Sequence, residues 1–169
     1  MRTTIITLAV VLAAGAAYAA HHSVGAQIIG TDGNPIGKAV VQQGPSGVVI
    51  YVELEGLTPG PHAIHIHSVG ACEPDFKASK GHINVADKKH GLLNPDGPDN
   101  GDLPNLFVAA DGTAKAEMYT TRVRVEGGDA ALLDTDGSAF VVHENRDDHS
   151  AQPIGGAGGR VGCGVIRRM

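Results

Sequence analysis

An all-β antiparallel fold, a barrel or a sandwich, is what the sequence predicts. Long amphipathic helical patterns are absent, aromatic residues make up only 4% of the chain, and turn signals recur about every 8 to 12 residues. Short apolar or alternating runs at 24–30, 36–43 and 48–54 are broken by Thr31-Asp32-Gly33-Asn34-Pro35 and by Gly44-Pro45-Ser46-Gly47, so they read as strands joined by tight hairpins. A fourth strand is Gly60-Pro61-His62-Ala63-Ile64-His65-Ile66-His67. Alternation sends His65 and His67 to one face and the isoleucines to the other. His62, at an odd offset from His65, turns away and reads as a hydrogen-bonded structural histidine. Runs at 106–109 and 114–124, with Asp111-Gly112 turning between them, and at 138–143 and 161–166 supply the remaining strands. The interruptions at 68–104 and 144–160 read as loops, and loops of that length inside a compact domain are usually functional.

The first residues have the layout of a secretory signal. Arg2 precedes an apolar stretch from residue 5 to 17, and small residues end in Ala17-Tyr18-Ala19, which predicts cleavage after Ala19 and a single domain at 20–169. The apolar stretch is shorter than the roughly 20 residues that span a bilayer, so no stable membrane insertion is expected once the signal is removed. No lipobox cysteine follows it. The formal charge is −5, one unit more negative without Arg2, and no basic run appears, which argues against nucleic acid as a partner. Cys72 and Cys163 are the only cysteines; in an exported chain they read most simply as one disulfide, with metal ligation the rival reading.

His65 and His67 on one strand face are half of a transition-metal site, and His82, His90, Asp102 and His143 are further candidate ligands downstream. In order, the motifs are His65-x-His67, Cys72, Gly81-His82, His90-Gly91, Gly101-Asp102-Leu103-Pro104-Asn105, His143-Glu144-x-x-Asp147-Asp148, and Gly158-Gly159-Arg160-Val161-Gly162-Cys163-Gly164-Val165-Ile166. Over essentially the whole mature chain this pattern resembles the copper,zinc superoxide dismutases, in particular their exported bacterial branch.

The resemblance implies an eight-stranded antiparallel Greek-key β-barrel, of immunoglobulin-like sandwich architecture, with a two-metal site under two long loops. One copper per subunit would be held by His65, His67, His82 and His143. One zinc would be held by His90, Asp102 and His82, the last as a bridging imidazolate. Asp147 matches the carboxylate that hydrogen-bonds a copper and a zinc histidine, and Arg160 matches the arginine that attracts and orients superoxide. In the family reaction copper is alternately reduced and reoxidised by superoxide, while His82 would carry a proton toward hydrogen peroxide. Lys77, Lys80, Lys88 and Lys89 are candidates for an outer guidance field, or are simply solvated loop charges. Family members of this branch occur as monomers and as homodimers, and the expected compartment is the periplasm, with secretion the alternative.

The chain departs from the family at one metal position. Where the pattern has a third zinc histidine, three residues before the zinc aspartate, this chain has Asp99-Asn100-Gly101-Asp102. A carboxylate oxygen and the near ring nitrogen of histidine are both two bonds beyond Cβ, so Asp99 reaches the same point, at the cost of one more negative charge around Zn²⁺. The alternative is a solvated Asp99 with water completing the site. Ala63 and Ile64 replace the usual Gly and Phe, which touches packing rather than ligation. His149 belongs to no motif and is expected to face solvent, and the mature start Ala20-His21-His22 reads as a terminus that binds copper only incidentally, with copper capture for the site the rival reading. A copper-buffering protein without turnover is the rival function. Such relatives lack a copper ligand or the arginine, and both are present here. A purely structural module leaves six metal-ligand matches unexplained.

Overall fold

The structure, a computed structural model, describes residues 23–169. The signal at 1–19 and the Ala20-His21-His22 start lie outside the described residues. The strands are β1 (Ser23–Gly30), β2 (Pro35–Gln43), β3 (Val48–Leu54), β4 (Gly60–His62), β5 (Ile64–His67), β6 (Leu106–Val108), β7 (Ala114–Thr120), β8 (Ala139–His143), β9 (Arg160–Val165) and β10 (Arg167–Arg168). The principal sheet has eight strands in the order β5-β8-β9-β1-β2-β3-β7, with β10 on the outer part of β1, and β4 pairs separately with β6. All ladder pairings are antiparallel, as the sequence predicts.

The sheet curls because β6 passes straight into β7. Ala109 N–H donates to Thr113 O (2.8 Å) and Gly112 N–H to Ala109 O (3.0 Å), which returns the chain from β4 to the free side of β3. Strand β8 then comes back over residues 121–138 to lie beside β5, the return that defines a Greek key. Two details differ from the sequence reading. The histidine strand is broken at Ala63, whose N–H donates to Asn145 O and whose carbonyl accepts from His143 N–H, so β4 and β5 pair with different neighbours. The strand predicted to 124 ends at Thr120, and the loop at 68–104 contains a 3₁₀ turn, Phe76–Ser79, capped by Asp75.

Alternation builds the core. Val24, Ala26 and Ile28 of β1, Val48, Ile50 and Val52 of β3, and Ile64, Ile66, Phe140 and Val142 of β5 and β8 point inward and are buried. Each of the larger side chains contributes roughly 1.5–3 kcal/mol by burial. On the opposite face of β8 and β9, Ala139, Val141 and Cys163 pack with Cys72 under the long loop. The outer faces of β5, β8 and β9 are therefore also removed from water, and His65 and His67 are buried at 0% and 1% exposure although they point away from the core. Cys72 and Cys163 form a disulfide, which anchors that loop to β9.

Candidate metal centre

The long loop is threaded onto the outer side of β5 by the main chain. Ile66 N–H donates to Gly101 O (2.9 Å), Ile83 N–H to Ile66 O (3.0 Å), and Gly101 N–H to Ile83 O (2.9 Å). This triangle sets His67 opposite His82 and His65 opposite Asp102. Gly101 has no alternative here, because a Cβ would stand 2.2 Å from the Ile66 carbonyl.

The sequence-predicted residues converge. Ring centroids of His65 lie 4.1 Å from His82 and 5.1 Å from His143, and those of His67 and His82 are 5.1 Å apart. His82 and His90 are 5.3 Å apart on the other side. One set of donor atoms within 4.8 Å of each other comes from His65, His67 and His143, and a second comes from His82, His90, Asp99 and Asp102.

Each imidazole has one nitrogen committed to the protein. His65 Nε2–H donates to Asp147 Oδ2 (2.9 Å), His67 Nδ1–H to the Lys80 carbonyl (2.8 Å), His143 Nδ1–H to the Gly158 carbonyl (3.1 Å), and His90 Nε2–H to Asp147 Oδ1 (3.0 Å). Those bonds orient the rings and turn the other nitrogen of each toward the centre of its cluster, as a lone pair on His65, His67 and His143. Ten buried side-chain nitrogen or oxygen atoms among the described residues lack a hydrogen-bond partner, and seven of them lie in these two clusters. They are His65 Nδ1, His67 Nε2, His82 Nε2, His143 Nε2, Asp99 Oδ1, and His90 Nδ1 and Asp102 Oδ1, which face each other as an ion pair at 2.6 Å. Buried polar atoms are otherwise almost always satisfied, so a convergent group of orphans is the mark of a cation site.

The clusters differ electrostatically. Burial pulls the His65 imidazole down to about 3 and His143 to about 4, and it moves His67 in the same direction, helped by neighbouring His82 and Arg160. All three rings are therefore neutral and able to ligate at neutral pH. In the second cluster burial also opposes charge on His82, but the neighbouring carboxylates of Asp102 and Asp99 outweigh it and raise the ring. His90 is raised to about 10 against burial by Asp102 and Asp147. The Asp102 and Asp147 carboxyls are held below the usual carboxylate range by their histidines, against the opposing effect of burial. An all-imidazole cluster suits a redox-active copper, and a cluster of two imidazoles and two carboxylates suits zinc, so the donor chemistry fits both ions.

Arg160 opens β9 opposite His143, and its guanidinium donates to Phe76 O (2.5 Å), Ser79 Oγ (3.1 Å) and Lys80 O (2.6 Å). Lys77 and Lys80 are exposed on that same segment, and Lys88 and Lys89 are exposed further along the loop. His62 is buried with its ring nitrogens against the carbonyls of His143 (2.7 Å) and Thr58 (2.8 Å), a structural histidine as expected.

His149 does not face solvent. Its side chain is 14% exposed, and its Nδ1 lies 3.3 Å from Asp147 Oδ2, because a left-handed backbone (φ 63°) folds the ring back onto that carboxylate. Sequence reasoning also missed Asn105, which exchanges two hydrogen bonds with the Asp147 main chain (both 2.8 Å), and Gln152, which brackets the His90 main chain. Asn105 stands within the Gly101–Asn105 motif, which was the available signal; the carbonyls of Lys80 and Gly158 leave none.

The sequence profile of the copper/zinc superoxide dismutase (SODC) family matches residues 36–166. The chain is 56% identical over 140 residues to a Cu-Zn superoxide dismutase of Caulobacter vibrioides, covering 80% of each protein. A superoxide dismutase-like protein from Bacillus subtilis superimposes with a TM-score of 0.80 at 36% identity, over 83% of this chain and 96% of that one. The Cu/Zn superoxide dismutase from Brucella abortus gives 0.72 at 28% identity, over 86% and 99%. With the match running through the β-strands and both donor clusters alike, the chain belongs to the copper/zinc superoxide dismutase family.

Proposed function

We propose that His65 Nδ1 and the Nε2 atoms of His67, His82 and His143 hold copper. Zinc would be held by His82 Nδ1, His90 Nδ1, Asp102 Oδ1 and Asp99, so that the His82 ring would serve both sites, one nitrogen to each. The observation that carries this reading is the set of orphaned buried donors: His65 Nδ1, His67 Nε2 and His143 Nε2 form one group, His90 Nδ1, Asp99 Oδ1 and Asp102 Oδ1 the other, and the His82 ring packs against both, with Nε2 unpartnered and Nδ1 facing Asp99. Every donor comes from one chain.

As a Cu-Zn superoxide dismutase the enzyme converts two superoxide anions and two protons into dioxygen and hydrogen peroxide. Copper, when bound, supplies the one-electron oxidation and reduction, and zinc supplies fixed positive charge. Arg160 draws the substrate anion in and orients it, a role supported by its position next to His67 and His143 and by the three protein oxygens that hold its guanidinium still. His82 takes up and returns a proton at Nε2, while Nδ1 stays directed to the side of Asp99 and Asp102, where zinc would sit. Asp147 keeps the His65 and His90 rings aimed at their ions. The signal-like residues 1–19 support export of a 20–169 domain to the periplasm and protection of the cell envelope from superoxide.

The test is metal content and superoxide turnover of the purified, metal-loaded protein. One copper and one zinc per chain with rapid dismutation is the expected result. Tight copper binding without turnover would replace the enzyme by a copper buffer.

A further inference from the structure

Asp147 links the two clusters by accepting from His65 on one oxygen and from His90 on the other. We propose that His149 is the positioning residue that fixes this carboxylate, and through it the rings of His65 and His90; the proposal rests on the ligand assignment above.

His149 hydrogen-bonds one oxygen of Asp147 and faces the other at ion-pair distance. Its backbone N–H donates to Oδ1 (2.6 Å), and its ring Nδ1 lies 3.3 Å from Oδ2. The tautomer follows from Asn105. That amide accepts the Asp147 N–H at Oδ1 (2.8 Å), so its Nδ2 faces outward and donates to the Asp147 carbonyl (2.8 Å) and to His149 Nε2 (3.0 Å). Nε2 is thus an acceptor, and the ring proton sits on Nδ1. Nδ1 is one of the buried atoms with no hydrogen-bond partner, and Asp147 Oδ2 is the carboxylate oxygen it faces.

The backbone supports the same reading. His149 holds a left-handed conformation (φ 63°) that costs a non-glycine residue free energy and that Asn and His enter more readily than most. Its carbonyl accepts from Leu93 N–H (3.0 Å), three residues beyond His90, so this one residue ties the second loop to the zinc-side segment and to the bridging carboxylate together. Asp147 itself is fully buried.

Two variants separate the side chain from the backbone. His149→Gly removes the ring while relaxing the left-handed conformation, and His149→Asn keeps that conformation and retains an N–H donor at the Nδ1 position. Zinc affinity is measured by chelator competition, and the copper(II) electron paramagnetic resonance spectrum of the loaded protein reports the His65 orientation. His149→Gly is expected to weaken zinc binding roughly tenfold, the low end of what outer partners of metal ligands contribute, and to change the copper spectrum. His149→Asn is expected to restore both. A glycine variant with parental affinity and spectrum, or an asparagine variant no nearer the parent than glycine, overturns the proposal. His90→Ala in the same titration tests the ligand assignment separately: if it leaves zinc affinity unchanged, that assignment fails instead.

Discussion

Arg160 and His67 donate to the same acceptor, the carbonyl oxygen of Lys80, at 2.6 and 2.8 Å. The guanidinium proposed to guide substrate and an imidazole of the first donor cluster are thereby registered to one another by a single peptide group, and the 3₁₀ turn at Phe76–Ser79 supplies the other two acceptors of the guanidinium. Replacing Arg160 should therefore alter substrate guidance without removing a metal donor. Arg160→Leu is expected to lower turnover at low salt by about tenfold or more, with copper and zinc content unchanged and a weaker dependence on ionic strength. Stopped-flow superoxide decay across a salt series checks this, and loss of copper from the variant would contradict it.

Asp99 Oδ2 stands 2.9 Å from His82 Nδ1, and Asp99 Oδ1 is buried without a partner. Asp99→Ala should reduce zinc affinity by more than tenfold and leave copper affinity nearly unchanged, as zinc titration with a competing chelator would reveal. Unchanged zinc affinity would return Asp99 to the status of a buried bystander.

Gly155 (φ 60°) faces the bridging carboxylate so closely that a Cβ would lie 1.7 Å from Asp147 Oδ1. Gly155→Ala is expected to displace Asp147 from His90 and weaken zinc binding about 10- to 100-fold, with a smaller effect on copper. Calorimetric titration of each metal would measure the two effects separately.

The metal-free protein should be most stable near neutral pH. His65 and His143 have folded values of about 3 and 4, with His67 also lowered, so below the ordinary 6.5 the unfolded chain binds more protons and stability falls with acid. His90, raised to about 10, and His82, also raised, act in the opposite sense. Their contribution is complete below 6.5 and is lost as pH rises through the folded values. A melting temperature that peaks between about pH 6 and 7 in chelator, and an alkaline decline that flattens once zinc replaces those protons, is the expected calorimetric result. A melting temperature that rises steadily from pH 6 to 10 in chelator would refute it.

Most of the strands and most of the donor atoms were legible in the sequence for a physical reason: both obey a short period. The alternation that buries Ile64 and Ile66 also aligns His65 with His67, and compact motifs mark His82, His90, Asp102 and Arg160. What escaped is set by the main chain. The break at Ala63 depends on carbonyls and amides from β8 and the following loop. The inward turn of His149 depends on a backbone angle that residue type only weakly dictates. The acceptors that fix the His67 and His143 tautomers are peptide oxygens, which any residue carries.

The triangle of peptide bonds among Ile66, Ile83 and Gly101 has a broader implication for how such a centre changes its preferences. Because the skeleton itself dictates how far His82 and Asp102 stand from the paired histidines, the separation of the two donor clusters is not free to drift when a single side chain is exchanged. Metal selectivity would then be tuned by swapping the chemical head of one side chain on an unmoved frame, and, on the ligand assignment proposed above, an aspartate at position 99 would be a swap of that kind.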